Sequence, residues 1–255
     1  YARRALEAAL AGGDAAATAR AYTTLAGALA TNWHGQEARD ILRLAVDDLA
    51  GRAPDAEMVR LEAELGRAYL MSGQPELALP VVEQALVRAE ASAQLESIAE
   101  LLVSRAWAVI GAGRPREAVA LLRGTVPFCE EHGFLNARMR CAMNLSSFAS
   151  VDDPRRAMAD AATGLAIARR RRTAGWAGAL AGNWADVAFQ MGDWDGILAL
   201  ATDLDGDVLG ITVATPPKYG TVSLAAGKVT YKAHSGGAST SDVFSLLVSD
   251  PWGGT

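Results

Sequence analysis

Three closely spaced aspartates are the residues of this chain best suited to bind an ion. The run Asp203-Leu-Asp-Gly-Asp207 holds Asp205 between two further acids, and calcium takes about six to eight oxygen ligands of this kind. Three carboxylates do not complete such a shell, and Asp250 is a candidate for a further ligand. The alternative is a turn with solvated carboxylates. The sequence therefore indicates a partial calcium site at Asp203, Asp205 and Asp207.

The other reactive side chains do not form a catalytic pattern. The histidines His34, His132 and His234 lie in different segments, and none has a nucleophile or carboxylate at the spacing of a catalytic triad. Cys129 and His132 match half of a zinc site, but no second Cys/His pair completes the four ligands. The segment Ala226-Gly-Lys-Val-Thr230 has valine where a phosphate-binding loop needs Ser or Thr. We expect a protein without catalysis and without a cofactor.

The two cysteines, Cys129 and Cys141, lie on either side of a predicted turn between helices. This spacing permits a disulfide. Because free cysteine is among the most buried residue types, the pattern favours two buried, reduced thiols over a disulfide.

Charge and hydropathy exclude two classes of partner. The formal net charge of -5 argues against direct nucleic-acid binding, which normally shows as a basic face. The basic run from Arg169 to Arg172 falls at a predicted helix end, where cations offset the helix dipole. No apolar run approaches the roughly 18 residues of a membrane span, and no signal peptide opens the chain. Because the first residue is Tyr1 and not Met, we expect the chain to be cut from something longer.

An alanine-centred signature recurs along the chain with a period of about 40 residues. It follows a turn of one type each time, as in Gly73-Gln-Pro-Glu-Leu-Ala78 and Gly113-Arg-Pro-Arg-Glu-Ala118. Such self-similarity indicates an array of stacked repeats, and the short Gly- and Pro-containing connections predict antiparallel helix pairs. The predicted helices are 2–11, 15–31, 36–52, 56–72, 75–91, 94–111, 115–131, 134–149, 154–171, 174–191 and 193–201.

The composition changes near Asp203. Residues 1–202 hold 21 Arg and no Lys, whereas residues 203–255 hold three Lys and neither Arg nor Glu. Apolar periodicity changes there from helical spacing to alternation, which predicts two domains with these bounds, the second an antiparallel β-sandwich fragment. The buried faces of its four predicted strands are Leu209/Ile211/Val213, Val222/Leu224, Val229/Tyr231 and Phe244/Leu246/Val248.

The pattern Leu65-Gly66-x-x-Tyr69 followed by Ala78-x-x-x-Val82-x-x-Ala85 resembles the tetratricopeptide (TPR) motif. The resemblance covers residues 1–202 and implies a mainly α fold, a right-handed α-solenoid of antiparallel helix pairs. The period is longer than the roughly 34 residues of that family. It is similar to the variant repeats of large bacterial LuxR-type ATPase regulators and nucleotide cyclases, most of all over Ala181–Asp195. HEAT-like repeats of similar period are the alternative.

Four motifs of the C-terminal segment resemble a different family. In chain order they are Asp203–Asp207, Pro216–Val222, Gly227–Tyr231 and Val248–Thr255. They are similar to the bacterial cadherin-like, immunoglobulin-like (Ig-like) tandem repeats of large surface and secreted proteins. The resemblance implies calcium at the aspartate loop and a β domain that lacks its first and last strands. Because Ile197–Asp203 fits both families, we hypothesise a truncated or joined reading frame, with a genuine fusion as the alternative.

In a helical-repeat array the functional surface is the concave face, which the first helix of each pair lines. Arg67 and Trp107 are the strongest predicted anchors there, since Arg and Trp are enriched in binding hot spots. The alternative is that Trp107 belongs to the core and that the arginines only solvate the surface. Alignment of the repeats places six side chains towards this groove: Arg20, Arg60, Arg67, Trp107, Ser146 and Asp186.

These observations predict a non-enzymatic interaction module that holds a protein or peptide partner in its groove. One alternative is the regulatory arm of an ATP-dependent transcriptional regulator or nucleotide cyclase. Another is a fragment of a calcium-binding surface adhesin. The helical part favours a cytoplasmic location, whereas the β part is typical of exported proteins.

Overall fold

The computed structural model describes residues 1–31, 34–150, 152–193, 210–225, 228–234 and 241–249. The chain divides into two compact units, Tyr1–Phe148 and Ala149–Thr255. Among the described residues, no helix has the length and apolar character needed to cross a membrane. The helices are α1 (Ala2–Gly12), α2 (Ala15–Thr31), α3 (Gly35–Leu49), α4 (Asp55–Met71), α5 (Pro75–Ala91), α6 (Leu95–Gly111), α7 (Pro115–His132), α8 (Leu135–Phe148), α9 (Pro154–Arg170) and α10 (Ala174–Met191).

Glycines end several of these helices, as the sequence predicts. Gly73 has a φ of 70°, and its N–H donates to the Leu70 carbonyl oxygen at 3.0 Å. Pro75 then begins α5, where its missing N–H leaves no hydrogen bond unmade. The largest difference from the predicted bounds is at α3, which ends at Leu49 because Gly51 turns the chain with a φ of 71°. Residues 194–201 of the predicted helix 193–201 and the predicted boundary near residue 203 lie outside the described residues.

Ala93 adopts the left-handed backbone conformation that Gly73 takes in the preceding turn between helices, half a repeat earlier. Its φ is 52°, and the turns Ser72-Gly73-Gln74 and Ser92-Ala93-Gln94 make the same backbone hydrogen bonds. A Cβ in this conformation crowds the following carbonyl oxygen, at a cost of roughly 1–2 kcal/mol. We therefore expect Ala93→Gly to raise the free energy of unfolding by about 0.5–1 kcal/mol in urea denaturation. The control Gly73→Ala should lower it, and a loss of stability in Ala93→Gly would contradict the strain.

The first unit is built in two layers. Helices α2, α4, α6 and α8 each contact the next one in this series, and we call them the inner layer. Within the described residues, α3, α5 and α7 pack only against inner helices. Of these described helices, the inner ones contact one another, whereas α3, α5 and α7 do not. Such an array curves, with the inner layer on its concave side. The predicted solenoid of antiparallel helix pairs is confirmed for this unit.

Small residues allow the two layers to approach closely. Ala38, Ala78 and Ala118 are each at most 2% exposed. At the α4–α5 crossing, a Cβ added to Gly66 would lie 2.5 Å from Cγ2 of Val82. The larger side chains fill the space between these crossings, and the fully buried ones include Leu42, Leu49, Leu61, Leu101, Leu122 and Leu145.

Helices α9 and α10 form an antiparallel hairpin in the second unit. The carboxylate of Asp153 caps α9 by accepting a hydrogen bond from the N–H of Arg156 at 3.1 Å. Ala157, Ala161 and Leu180 are buried, so the predicted alanine signature holds in this pair as well.

The described strands of the second unit form two antiparallel pairs. Strand β1 (Gly210–Thr215) pairs with β4 (Ser245–Ser249), and β2 (Gly220–Ala225) pairs with β3 (Lys228–Ala233). All four strands of the sequence analysis are present. Of the predicted inward residues whose burial the structure describes, Val229 is the most buried at 7% exposure, Tyr231 is exposed and the others are half-buried.

Contacts of Tyr231 and Asp242 explain why the motifs Pro216–Val222 and Gly227–Tyr231 have the residues they have. The ring of Tyr231 lies over Gly220, where an added Cβ would approach it to 2.2 Å. Its hydroxyl donates to Asp242 at 2.9 Å, and Asp242 also accepts the N–H groups of Lys218 and Tyr219. Desolvation opposes ionisation of Asp242, but these hydrogen bonds outweigh it and hold its pKa below the ordinary value. Only glycine fits at position 220 beneath this ring.

Candidate functional site

The inner layer presents matching positions of successive repeats side by side. Arg20 on α2, Arg60 on α4, Glu100 on α6 and Arg140 on α8 occupy one such row. The arginines of α2 and α4 are exposed, whereas Glu100 and Arg140 are half-buried. The inner face therefore carries a charged row that crosses four helices.

A half-buried glutamate holds the first two arginines of this row. Oε1 of Glu57 accepts from Nη1 of Arg20 at 3.0 Å, and its Oε2 lies 3.5 Å from Nη1 of Arg60. The Glu57 side chain is 12% exposed, whereas those of Arg20 and Arg60 are 53% and 60% exposed. Because a guanidinium has five N–H donors, both arginines keep donors directed to solvent. Glu57 thus orients two groups that can bind an acceptor of a partner.

Arg67 and Trp107 occupy a second row on the same face. Nε of Arg67 donates to Glu64 at 3.0 Å, and the Arg67 side chain is 36% exposed. Trp107 is half-buried and packs against the hydrophobic core of α2 to α5. The alternative interpretation of Trp107 as a core residue is therefore correct for part of its ring surface.

Arg140 joins α8 to α6 and was missed in the sequence analysis. It donates to the Glu100 carboxylate and to Oγ of Ser104, the latter at 2.8 Å. Its side chain is 15% exposed, so these contacts hold the two helices together. Its position in the repeat, matching Arg20 and Arg60, is the signal that could have found it.

The structure corrects the position of one predicted groove residue. Ser146 is 1% exposed, and its hydroxyl donates to the Met143 carbonyl oxygen at 2.8 Å. It matches in position Gly66 of an earlier repeat, which is also buried. Ser147 is exposed and takes the place in the row of Arg67.

Asp186 lies on α10 of the second unit and is exposed. It accepts a hydrogen bond from Nε2 of Gln190, one turn further along the helix, at 3.0 Å. The structure therefore brings together four of the six predicted residues on the inner face of the first unit: Arg20, Arg60, Arg67 and Trp107.

A buried carboxylate lies between the inner-layer helix α4 and helix α5. Glu62 on α4 is 2% exposed, and its Oε1 accepts from Nε of Arg88 on α5 at 3.3 Å. Its Oε2 is buried without a hydrogen-bond partner. Burial raises the pKa of Glu62 above its ordinary value, although the charge of Arg88 opposes the shift. We therefore expect the stability of the contact between α4 and α5 to depend on pH.

The structure describes the candidate zinc residues Cys129 and His132 but not the candidate calcium residues. Nδ1 of His132 lies 3.1 Å from the Phe128 carbonyl oxygen, and its ring stacks on Phe134 at 5.4 Å between centroids. In the part of the chain that the structure describes, no three His, Cys, Asp or Glu side chains gather closely enough to hold a metal ion. The candidate calcium residues Asp203, Asp205, Asp207 and Asp250 lie outside that part.

Solved structures of TPR-like repeat proteins are similar to this chain in fold. A putative kinesin light chain with nearly identical TPR-like repeats from Podosopora anserina is 21% identical, with a TM-score of 0.51, over 71% of this chain and 90% of that chain. BtubC (BKLC) from P. vanneervenii is 18% identical, with a TM-score of 0.60, over 78% and 85%. The apo form of RapI is 11% identical, with a TM-score of 0.57, over 71% and 67%.

The family model of a bacterial Ig domain matches residues 185–255. The match takes in all four strands and begins within α10, so its first residues are helical here. Comparison with curated protein sequences gives no significant match. Both resemblances of the sequence analysis are confirmed: the chain has the fold of TPR-like helical repeats, followed by a segment that matches a bacterial Ig domain.

Proposed function

We propose that the inner face of the first unit binds an extended segment of a protein partner. The observation that carries this proposal is the pair of exposed arginines, Arg20 and Arg60, that the half-buried Glu57 holds in place. A side chain that is already oriented loses less conformational entropy on binding. Arg67 and the exposed part of Trp107 extend this surface over α4 and α6.

The spacing of the helices defines how such a segment would lie. Packed helices have axes about 8–10 Å apart, and an extended chain in the polyproline II conformation advances about 3.1 Å per residue with three residues per turn. A segment that crosses the inner layer therefore presents a side chain to each successive helix about every third residue. Side chains of the segment that accept hydrogen bonds, spaced at that period, would bind the arginines. An apolar or aromatic side chain of the segment would pack against Trp107.

The module needs no cofactor for this function. Its helical repeats favour the cytoplasm, and the match to a bacterial Ig domain favours the exported alternative. The regulatory arm of a larger signalling protein is consistent with the same groove, because such an arm also acts by binding a protein segment.

The test begins with selection of linear peptides from a displayed random library on the full chain. The dissociation constant of the best peptide is then measured for the unaltered protein, Arg60→Ala and Trp107→Ala. We expect each substitution to weaken binding by at least about tenfold, the effect of a hot-spot residue. The matched control is Arg43→Ala, an exposed arginine on α3 of the other layer.

Circular dichroism of each variant shows whether its helices are intact. If all three variants bind the peptide as tightly as the unaltered protein, the groove is not the binding site. The same holds if only Arg43→Ala loses affinity. Selected peptides without a period of about three residues would contradict the polyproline II arrangement.

A further inference from the structure

A side-chain hydrogen bond joins two thiols inside the packed α7–α8 hairpin. Cys129 lies near the end of α7 and Cys141 in the first half of α8, which runs back along α7. They are 1% and 0% exposed, and both are free. The small side chains of Ala99 and Ala137 pack around Cys129, which allows the helices to approach closely there.

An arginine with an unused donor lies beside this pair. Arg138 on α8 is 6% exposed, and its Nε donates to Glu130 at 2.9 Å. Its Nη1 is buried and has no hydrogen-bond partner in the structure. A buried guanidinium nitrogen without an acceptor is costly, and it is satisfied when an anion forms within its reach.

The surroundings of the two thiols shift their pKa values in opposite directions. A hydrogen bond with Cys141 lowers the pKa of Cys129, and it outweighs burial and the nearby carboxylate of Glu100. Arg138 acts in the same direction as that bond. The same hydrogen bond and burial raise the pKa of Cys141. Cys129 is therefore the more readily ionised of the two thiols.

We propose that Cys129 and Cys141 form a redox couple that a peroxide oxidises to a disulfide across the α7–α8 hairpin. In the first step, the Cys129 thiolate attacks one peroxide oxygen and the O–O bond breaks. The departing hydroxide takes a proton and leaves as water, and Cys129 becomes a sulfenic acid. In the second step, the Cys141 sulfur attacks the Cys129 sulfur and the S–O bond breaks. The hydroxide leaves with the Cys141 proton as a second water. The two thiols together lose two electrons to one peroxide.

The disulfide would act on the inner face through α8. A disulfide holds two Cα atoms about 4.4–6.8 Å apart, so it would fix the spacing of α7 and α8 at this level. Arg140 directly precedes Cys141 and bonds to Glu100 and Ser104 on α6. A change in the position of α8 when the disulfide forms would therefore move one end of the charged row. The redox couple stands on its own contacts and does not depend on a peptide-binding function.

The test treats the folded full chain with hydrogen peroxide and follows its intact mass and its tryptic peptides. We expect a loss of two hydrogen masses and a peptide that joins α7 to α8, and thiol reductants should reverse both. In Cys141→Ser, Cys129 should accumulate as a sulfenic acid that dimedone traps. In Cys129→Ser, Cys141 should stay reduced.

A further variant tests the arginine. Arg138→Gln should slow the oxidation of Cys129 by roughly tenfold, because the thiolate loses a nearby cation. Its melting temperature shows whether the fold is retained, and the two cysteine variants keep the proposal testable if it is not. Thiols that react only in denaturant would overturn the proposal, as would disulfides between molecules in place of the intramolecular one.

Discussion

Replacement of Arg88 with alanine is expected to lower the free energy of unfolding by about 2–3 kcal/mol at pH 8 and by much less near pH 4.5. Arg88 is the ion-pair partner of Glu62, whose carboxylate is 2% exposed. Without the guanidinium, an ionised Glu62 is left buried and uncompensated. Removal of one partner from such a pair is far more costly than loss of an exposed ion pair.

The pH dependence follows from the direction of the Glu62 shift. Burial raises its pKa above the ordinary value, so the protonated form is favoured in the folded state. The stability that depends on protonated Glu62 is complete below the ordinary pKa and is lost as pH rises through the raised one. Arg88→Ala removes the attraction that opposes this shift and raises the pKa of Glu62 further. The cost of the substitution therefore grows from acid to neutral pH.

Urea denaturation at both pH values measures this difference. The matched control is Arg105→Ala, because Arg105 pairs with Glu83, which is 52% exposed. We expect a loss of at most about 1 kcal/mol there, with little change between the two pH values. Addition of Glu62→Gln to Arg88→Ala should restore stability at pH 8. Equal losses in the two arginine variants, or a loss independent of pH, would show that Glu62 is not the cause.

A methyl group at Gly66 is expected to lower the free energy of unfolding by about 1–3 kcal/mol. The added Cβ would lie 2.5 Å from Cγ2 of Val82, well inside van der Waals contact. Val82 is fully buried, and a β-branched side chain on a helix has one strongly preferred rotamer. Helices α4 and α5 must then separate at their crossing. This strain exceeds the gain of about 1 kcal/mol that alanine brings to a helix interior.

Thermal and urea denaturation of three variants separates the clash from the change in helix propensity. Gly124→Ala is the control, because a Cβ added there meets nothing within 4 Å, and it should raise stability by about 0.5–1 kcal/mol. Val82→Ala removes the methyl group that clashes, so its cost and that of Gly66→Ala should not add in the double variant. Additive losses would show that the two side chains do not meet.

The local structure of the helical repeats could be predicted from sequence because it depends on neighbours in the chain. Gly73 ends α4 with a positive φ, and Pro75 begins α5. Both effects act within one turn of helix, so a single sequence contains them. The strands of the C-terminal segment alternate polar and apolar residues, and the four predicted strands are present. Arg20, Arg60 and Arg67 were found because the period places them on the same helix of each pair.

The burial of particular polar groups was decided by tertiary structure alone. Glu62 stands in α4 among charged neighbours, and only the packing of α5 shows that it is buried against Arg88. Ser146 was predicted on the surface one residue from Ser147, which is in fact the exposed one. A helix turns by about 100° per residue, so an error of one position exchanges an exposed face for a buried one. The sequence by itself determined the repeats, their period and their ends. Which side chains meet between layers depends on how the helices cross, which is a property of contacts distant in sequence.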